Sequence, residues 1–254
     1  MSAPELLYGT RAVADLPMGA DLVPAGGAIE LGAVEIYYSL FELPMSVVLP
    51  RLPQSLHPSV PAVLATSFWR VRESPYGPFE FAYAGVACRT GIKPRHFVYA
   101  AWCDNADAGQ LLRDRYGIAC AMATVTCRES YDRIRGVVAV GGDTVLDIVT
   151  TNMVSLAGAG GMVKYSPALG LAQTGGQQKL IQVEAGYEFK RVLRGEVAAA
   201  SFDAAAIGEP TLRPTHAIAG TFAVVDVTLF PPRFAVDPAV PAEAGGATKL
   251  APAS

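Results

Sequence analysis

Cys120, in the stretch YGIACAMA (116–123), brings a thiol into a run of small apolar residues directly after a helix-like segment. A cysteine attacks only as its thiolate, which needs a nearby cation, imidazole or helix N-terminus. Here the preceding helix offers its C-terminus, whose partial negative charge works the other way. Cys120 therefore reads either as a reactive thiol or as a small hydrophobe lining a cavity. Glu80 is the second candidate. It lies in PFEFAYAGV, where strand alternation sets it beside Ala82 and Ala84 and opposite Phe79 and Phe81. On a cavity face, desolvation would raise its pKa and suit it to proton transfer. On the outer face it is a solvated carboxylate. Tyr76, Tyr83, Tyr99 and Trp102 could line a pocket for an aromatic or polyketide-like ligand, or simply fill a core. Arg113 and Arg115 stand two apart on a helix, so they point to different faces, one inward and one solvated.

Metal, nucleotide and hydrolase chemistry find no support in the motifs. The cysteines (Cys88, Cys103, Cys120, Cys127) contain no C-x-x-C, and His57, His96 and His216 are far apart in sequence. GAGG (158–161) does not complete G-x-G-x-x-G, and no G-x-S-x-G, phosphate loop, H-E-x-x-H or calcium loop occurs. No cofactor is expected, which leaves small-molecule chemistry or plain binding. A net charge of −3 with scattered basic residues argues against nucleic acid as a partner. Charged residues are 17%, below the roughly 25% of an average domain, which favours a compact or homo-oligomeric protein. Glu5, Arg11 and Asp15 interrupt the first twenty residues, so no secretory signal is read. The longest apolar run, AIAGTFAVV (217–225), is half the length needed to span a bilayer. The expectation is a soluble, cytoplasmic protein with no membrane partner.

These residues need elements to hold them. Residues 1–33 are rich in Gly and Pro and read as an N-terminal arm. Strand composition covers 34–41, 62–71, 79–89 and 96–103, with ESPYGP turning between the second and third. Pro44 opens a short helix that Pro50 and Pro53 close. Asp104-Asn105 cap a helix over 106–116, and Gly117 stands where its C-terminal cap belongs. Gly141-Gly142 form the best tight-hairpin signal, between 133–140 and 143–150. More strands fill 179–202 and 216–230, and the tail 236–254 reads as disordered Ala/Pro/Gly sequence. The prediction is α+β: a single domain over 34–235, largely antiparallel β in a cone- or barrel-like sheet, with a few short helices.

In CDNADAGQLLRDRYGIACAMA (103–123) the order of residues resembles the active-site segment of the acetoacetate decarboxylase family. An apolar strand leads to an Asp-Asn pair, then to a helix with an Arg-acid step, an aromatic and a glycine. Asp104-Asn105, Arg113-Asp114, Tyr116 and Gly117 match that order. The likeness extends over most of 30–235, through LPRLPQSL, SPYGPFEFAYAGV, the glycine hairpin and VVDVTLFPPRF. It implies an acetoacetate decarboxylase-like fold with no organic cofactor or catalytic metal. It also implies a lysine that forms an iminium with a β-keto acid, its amine freed by desolvation and a neighbouring cation.

At the positions matching the family's Pro-Lys-Lys this chain has Ala119, Cys120 and Ala121. A thiol cannot form an iminium. The substrate-clamping arginine falls near Glu42, and the active-site glutamate maps to Glu80. The resemblance thus implies an altered enzyme, a lyase, dehydratase, cyclase or isomerase acting on a small carbonyl metabolite. Glu80 would transfer the proton and Glu42 assist. Cys120, Tyr116 and Trp102 would shape the pocket, with Tyr76, Tyr99 and Arg113 as further substrate contacts. Two alternatives stay open: a ligand-binding or scaffold protein, and a decarboxylase using a displaced Lys164 or Lys190.

Overall fold

The structure is a computed structural model that describes residues 7–23, 26–90, 93–156 and 168–250. The strands begin with β1 (Ala20–Asp21), β2 (Ile29–Glu42), β3 (His57–Pro58), β4 (Val63–Val71), β5 (Phe79–Thr90) and β6 (Lys93–Cys103). Helix α1 (Met45–Val48) lies between β2 and β3, and α2 (Ala106–Tyr116) follows β6. Next come β7 (Cys120–Met122), β8 (Thr124–Ser130), β9 (Arg133–Val140), β10 (Asp143–Ser155), β11 (Ala168–Thr174) and β12 (Gln177–Gln182). β13 (Ala185–Phe202), β14 (His216–Leu229), β15 (Phe234–Val236) and β16 (Ala247–Lys249) complete the chain. All these strands join one sheet, mostly antiparallel, with the path β16-β15-β12-β11-β6-β5-β4-β2-β14-β13-β10-β9-β8.

The sheet curls until β8 lies across β4, β5 and β6. That closure gives the central strands two apolar faces. Tyr37, Phe41, Phe68, Ala82, Trp102, Ile134 and Phe222 fill the space inside the curl. Phe68 packs flat on β9, where a Cβ added to Gly136 would stand 2.7 Å from its ring. The opposite face carries Ile36, Phe81, Tyr83, Cys103 and Val225, roofed by Leu112 and Tyr116 of α2. Alternation alone assigns each residue of β5 to one core or the other.

Helix α2 ends where its caps say it should. Asn105 Oδ1 accepts from the Asp107 and Ala108 amides at 3.0 and 3.1 Å. Gly117 takes φ +67, and a Cβ there would lie 2.7 Å from the Leu171 backbone. Its carbonyl accepts from the Leu171 amide at 2.8 Å, tying the helix end to β11. After the cap, β7 pairs with β6 in parallel, so β6, α2 and β7 form a crossover within a mostly antiparallel sheet, in which β11 also runs parallel to β6 and to β1.

Both chain ends depart from the sequence reading. The arm gives way to strand before residue 33, since β2 starts at Ile29. The tail expected to be disordered is folded through residue 250: β15 pairs with β12, and β16 with β15. Lys179 Nζ meets Asp237 at 2.6 Å, and Tyr8 donates to Glu243 at 2.5 Å. Low-complexity sequence gains order here because the edge of β12 supplies backbone partners that composition cannot reveal.

Candidate functional site

Between the outer face of β4–β5 and the α2 side lies a chamber of about 50 Å³. Phe79, Phe81 and Tyr83 come from β5, Ser67 and Trp69 from β4, and Leu112 and Ile118 from α2 and the turn after it. Tyr187 of β13 closes one side, its ring 6.4 Å from that of Trp69. No Lys, Arg, His, Asp or Glu is among its described lining residues. Its polarity is concentrated in a few groups. Trp69 Nε1 donates to Ser67 Oγ at 2.8 Å, and Ser67 is hydrogen-bonded to Tyr83. Burial pushes the Tyr83 phenol up to about 12, with the Ser67 bond offsetting part of the effect, so the hydroxyl stays protonated at neutral pH.

Strand register explains why these groups meet. Tyr38, Ser67, Tyr83, Ala101 and Cys120 are successive cross-strand partners, one row running over β2, β4, β5, β6 and β7. Neighbours in such a row have Cβ atoms roughly 5 Å apart. Cys120 thus stands on the same face as the chamber, two strands from Tyr83. It is half-buried, and its thiol contacts the Ile118 carbonyl at 3.6 Å. Burial, and after it Cys103, pushes the thiol pKa up. A thiol held protonated is a poor nucleophile.

Glu80 does not face the chamber. Phe79, Phe81 and Tyr83 line it, so the residue between the two phenylalanines points to the other side of β5. There Oε2 accepts from the Cys127 amide at 2.8 Å, and Oε1 meets Arg128 at 2.5 Å and Arg70 at 3.6 Å. The Glu80 amide donates to Asp104 Oδ1 at 2.7 Å, and the Asp104 amide returns a bond to the Glu80 carbonyl at 3.1 Å. This carboxylate fastens β8 to β5, and both its oxygens are engaged.

Glu42 is exposed at the far end of β2, where its carbonyl accepts from Thr215. Glu35, also on β2, shares a row with Arg70 and Glu80. From that row to Glu42 is about 23 Å at 3.3 Å per residue, so the two acids form no pair. Trp102 is buried in the inner core, on the opposite face of β6 from Cys103. Tyr99 also packs inward, and its hydroxyl donates to the Arg51 carbonyl. Tyr76 lines a groove between α2 and the arm, with Asn105 Nδ2 donating to its carbonyl at 3.2 Å. Arg113 is the solvated arginine, 3.4 Å from Asp114, whereas Arg115 is buried and donates to the Gly26 and Gly27 carbonyls. Tyr116 is fully buried and donates to the Phe230 carbonyl at 2.9 Å.

Of the residues picked from sequence, the structure sets Cys120 and Tyr116 on the chamber's face of the sheet, and among the aromatic candidates Tyr83 lines it. Ser67 and Trp69 were missed. Their signal was present in ATSFW, where the period of two sets Ser67 and Trp69 on one face, but no motif singled them out. Lys190 is exposed and paired with Asp226 at 2.5 Å, away from the chamber. Lys164 and the GAGG segment lie outside the described residues. No group of three or more His, Cys, Asp or Glu among the described residues is placed to hold a metal ion. No described helix is long and apolar enough to cross a membrane.

No family model matches the sequence, and no curated protein matches it. Solved structures do. Acetoacetate decarboxylase from Legionella pneumophila subsp. pneumophila str. Philadelphia 1 is 16% identical, over 86% of this chain and 90% of that one, with a TM-score of 0.72. The enduracididine biosynthesis enzyme MppR, complexed with pyruvate, is 16% identical over 86% and 97%, at 0.66. An acetoacetate decarboxylase-like enzyme from Sphingomonas wittichii RW1 is 14% identical over 84% and 97%, at 0.64. This chain therefore has the acetoacetate decarboxylase-like fold, the architecture that the 103–123 resemblance implied.

Proposed function

We propose that this chain is an enzyme acting on a small carbonyl compound held in the chamber, through hydroxyl hydrogen bonds and without an iminium. One observation carries the reading. Ser67 and Tyr83 share a cross-strand row with Cys120, the residue at the position that matches the family's lysine, and they are hydroxyl donors in an apolar chamber. A carbonyl oxygen placed against them accepts a hydrogen bond that strengthens as negative charge develops on it, the electrophilic half of an isomerase- or lyase-type step. MppR, similar in fold, has been solved with pyruvate, itself a carbonyl compound. Acid–base work by Glu80 and Glu42 has no place in this reading, because both lie away from the chamber.

The Tyr83→Phe variant tests it. Loss of a donor to a developing oxyanion lowers kcat by about 10²–10³, while Cys120→Ser leaves turnover within a few-fold. Turnover by Tyr83→Phe equal to the parent's would end the proposal. Borohydride with a keto acid should leave the protein mass unchanged, and an adduct on any lysine would restore iminium chemistry.

A second reading, a binding protein without catalysis, is favoured by the lack of a titratable acid or base among the described lining residues other than tyrosine. Saturable ligand binding with no turnover, weakened by Tyr83→Phe, would support it.

A further inference from the structure

We infer that the chamber selects uncharged carbonyl compounds of a few carbons and turns away keto acids of the same size. This inference rests on the carbonyl reading above and gives that site its substrate class. A keto acid brings a carboxylate, and a carboxylate leaves water only for a cation or several donors. No described lining residue is cationic. Arg115 donates through one terminal nitrogen to the Gly26 and Gly27 carbonyls, and Arg70 and Arg128 serve Glu80 on the opposite side of β5.

The donors that exist suit one acceptor and no more. Ser67 Oγ accepts from the Trp69 indole and is hydrogen-bonded to Tyr83, its neighbour on one row of the sheet, so the two hydroxyls keep one hydrogen for a ligand. The rest of the wall is apolar, with Phe79, Phe81 and Leu112 facing the space where an acid group would have to go. The single polar end of a small ketone or aldehyde suits those donors, and the small chamber, about 50 Å³, bars larger compounds.

The test compares butanone, pyruvamide and pyruvate on the full-length protein, by saturation-transfer NMR and calorimetry at neutral pH. Pyruvamide and pyruvate share shape and differ in charge. Butanone should bind at least 100-fold more tightly than pyruvate, with pyruvamide, whose amide finds no partner in the apolar wall, between the two. Filling the chamber with Phe81→Trp or Leu112→Phe, whichever keeps the parent circular dichroism, should abolish butanone and pyruvamide binding. Pyruvate binding as tightly as pyruvamide would overturn the charge selection while leaving the carbonyl reading intact. Repeating that measurement with Lys164→Met would show whether residues outside the described set supply the cation. If no carbonyl compound binds, or if butanone binding survives both filling variants, the carbonyl reading itself fails and takes the selection with it.

Discussion

Glu80 and its neighbours on β5 show how a single step along a strand separates structure from chemistry. The carboxylate that resembled a catalytic group is an internal fastener, and the hydroxyl three residues on, Tyr83, faces the chamber. Glu80→Gln should cost about 1–3 kcal/mol, because a buried charge-assisted network loses its centre. Urea denaturation would read this as a lower midpoint. Carbonyl-ligand binding at temperatures where the variant is folded should match the parent, and a variant that stays fully stable would remove the fastening role. Lys179 and Asp237 make a second residue-scale case. The Lys179 ammonium holds the Asp237 carboxyl below its ordinary range, with burial opposing. A depressed folded pKa stabilises above the ordinary carboxylate value near 4 and loses that contribution as pH falls through the folded value. Lys179→Met should therefore flatten the stability profile on the acid side, below the ordinary carboxylate value. An unchanged acid-unfolding curve would exclude the linkage.

Helix α2 carries the clearest element-scale expectations, since its glycines do different jobs. Gly109 is mid-helix, and a Cβ there would meet Cys103 and Cys120 at an ordinary 3.6 Å. Gly109→Ala should stabilise by about 0.5–1 kcal/mol, the usual gain for relieving a helix-interior glycine. Gly117 has positive φ and backbone within 3 Å of any added Cβ. Gly117→Ala should destabilise by at least about 1 kcal/mol, since the left-handed conformation alone costs that much. Thermal melts of the pair, moving in opposite directions, check both. Asn105→Ala should lower stability by about 1 kcal/mol through loss of the two amide bonds to its side chain. These features were legible in sequence because caps and helix period are local. The parallel β7 was not, since three residues of strand carry no periodicity.

At the scale of the whole molecule, closure of the sheet decides what each face can do. The curl packs the inner face with Phe68, Tyr37 and Trp102, which leaves the described cavity on the outer face under α2. Trp102 and Tyr99 were plausible pocket residues only as long as the direction of curvature was unknown. The C-terminal strands belong to this scale too, because β15 and β16 extend the edge beyond β12. Deleting residues 237–254 removes β16 and the Lys179–Asp237 pair, and it should lower Tm by on the order of 5 °C. A calorimetric scan unchanged by the deletion would show that this hairpin adds nothing to the fold.

The sequence by itself determined most of the long strands, where α2 begins and ends, and the fold that their order implies. Such properties depend on neighbours within about ten residues or on a matched order along the chain. Only the tertiary structure decided that Tyr83 and Ser67, not Glu80 and Glu42, share a chamber. Alternation fixes which side chains travel together, but it leaves open which of the two faces the curled sheet will fill and which it will hollow. That choice is made by contacts between strands far apart in the chain, such as Phe68 on Gly136 and Glu80 on β8.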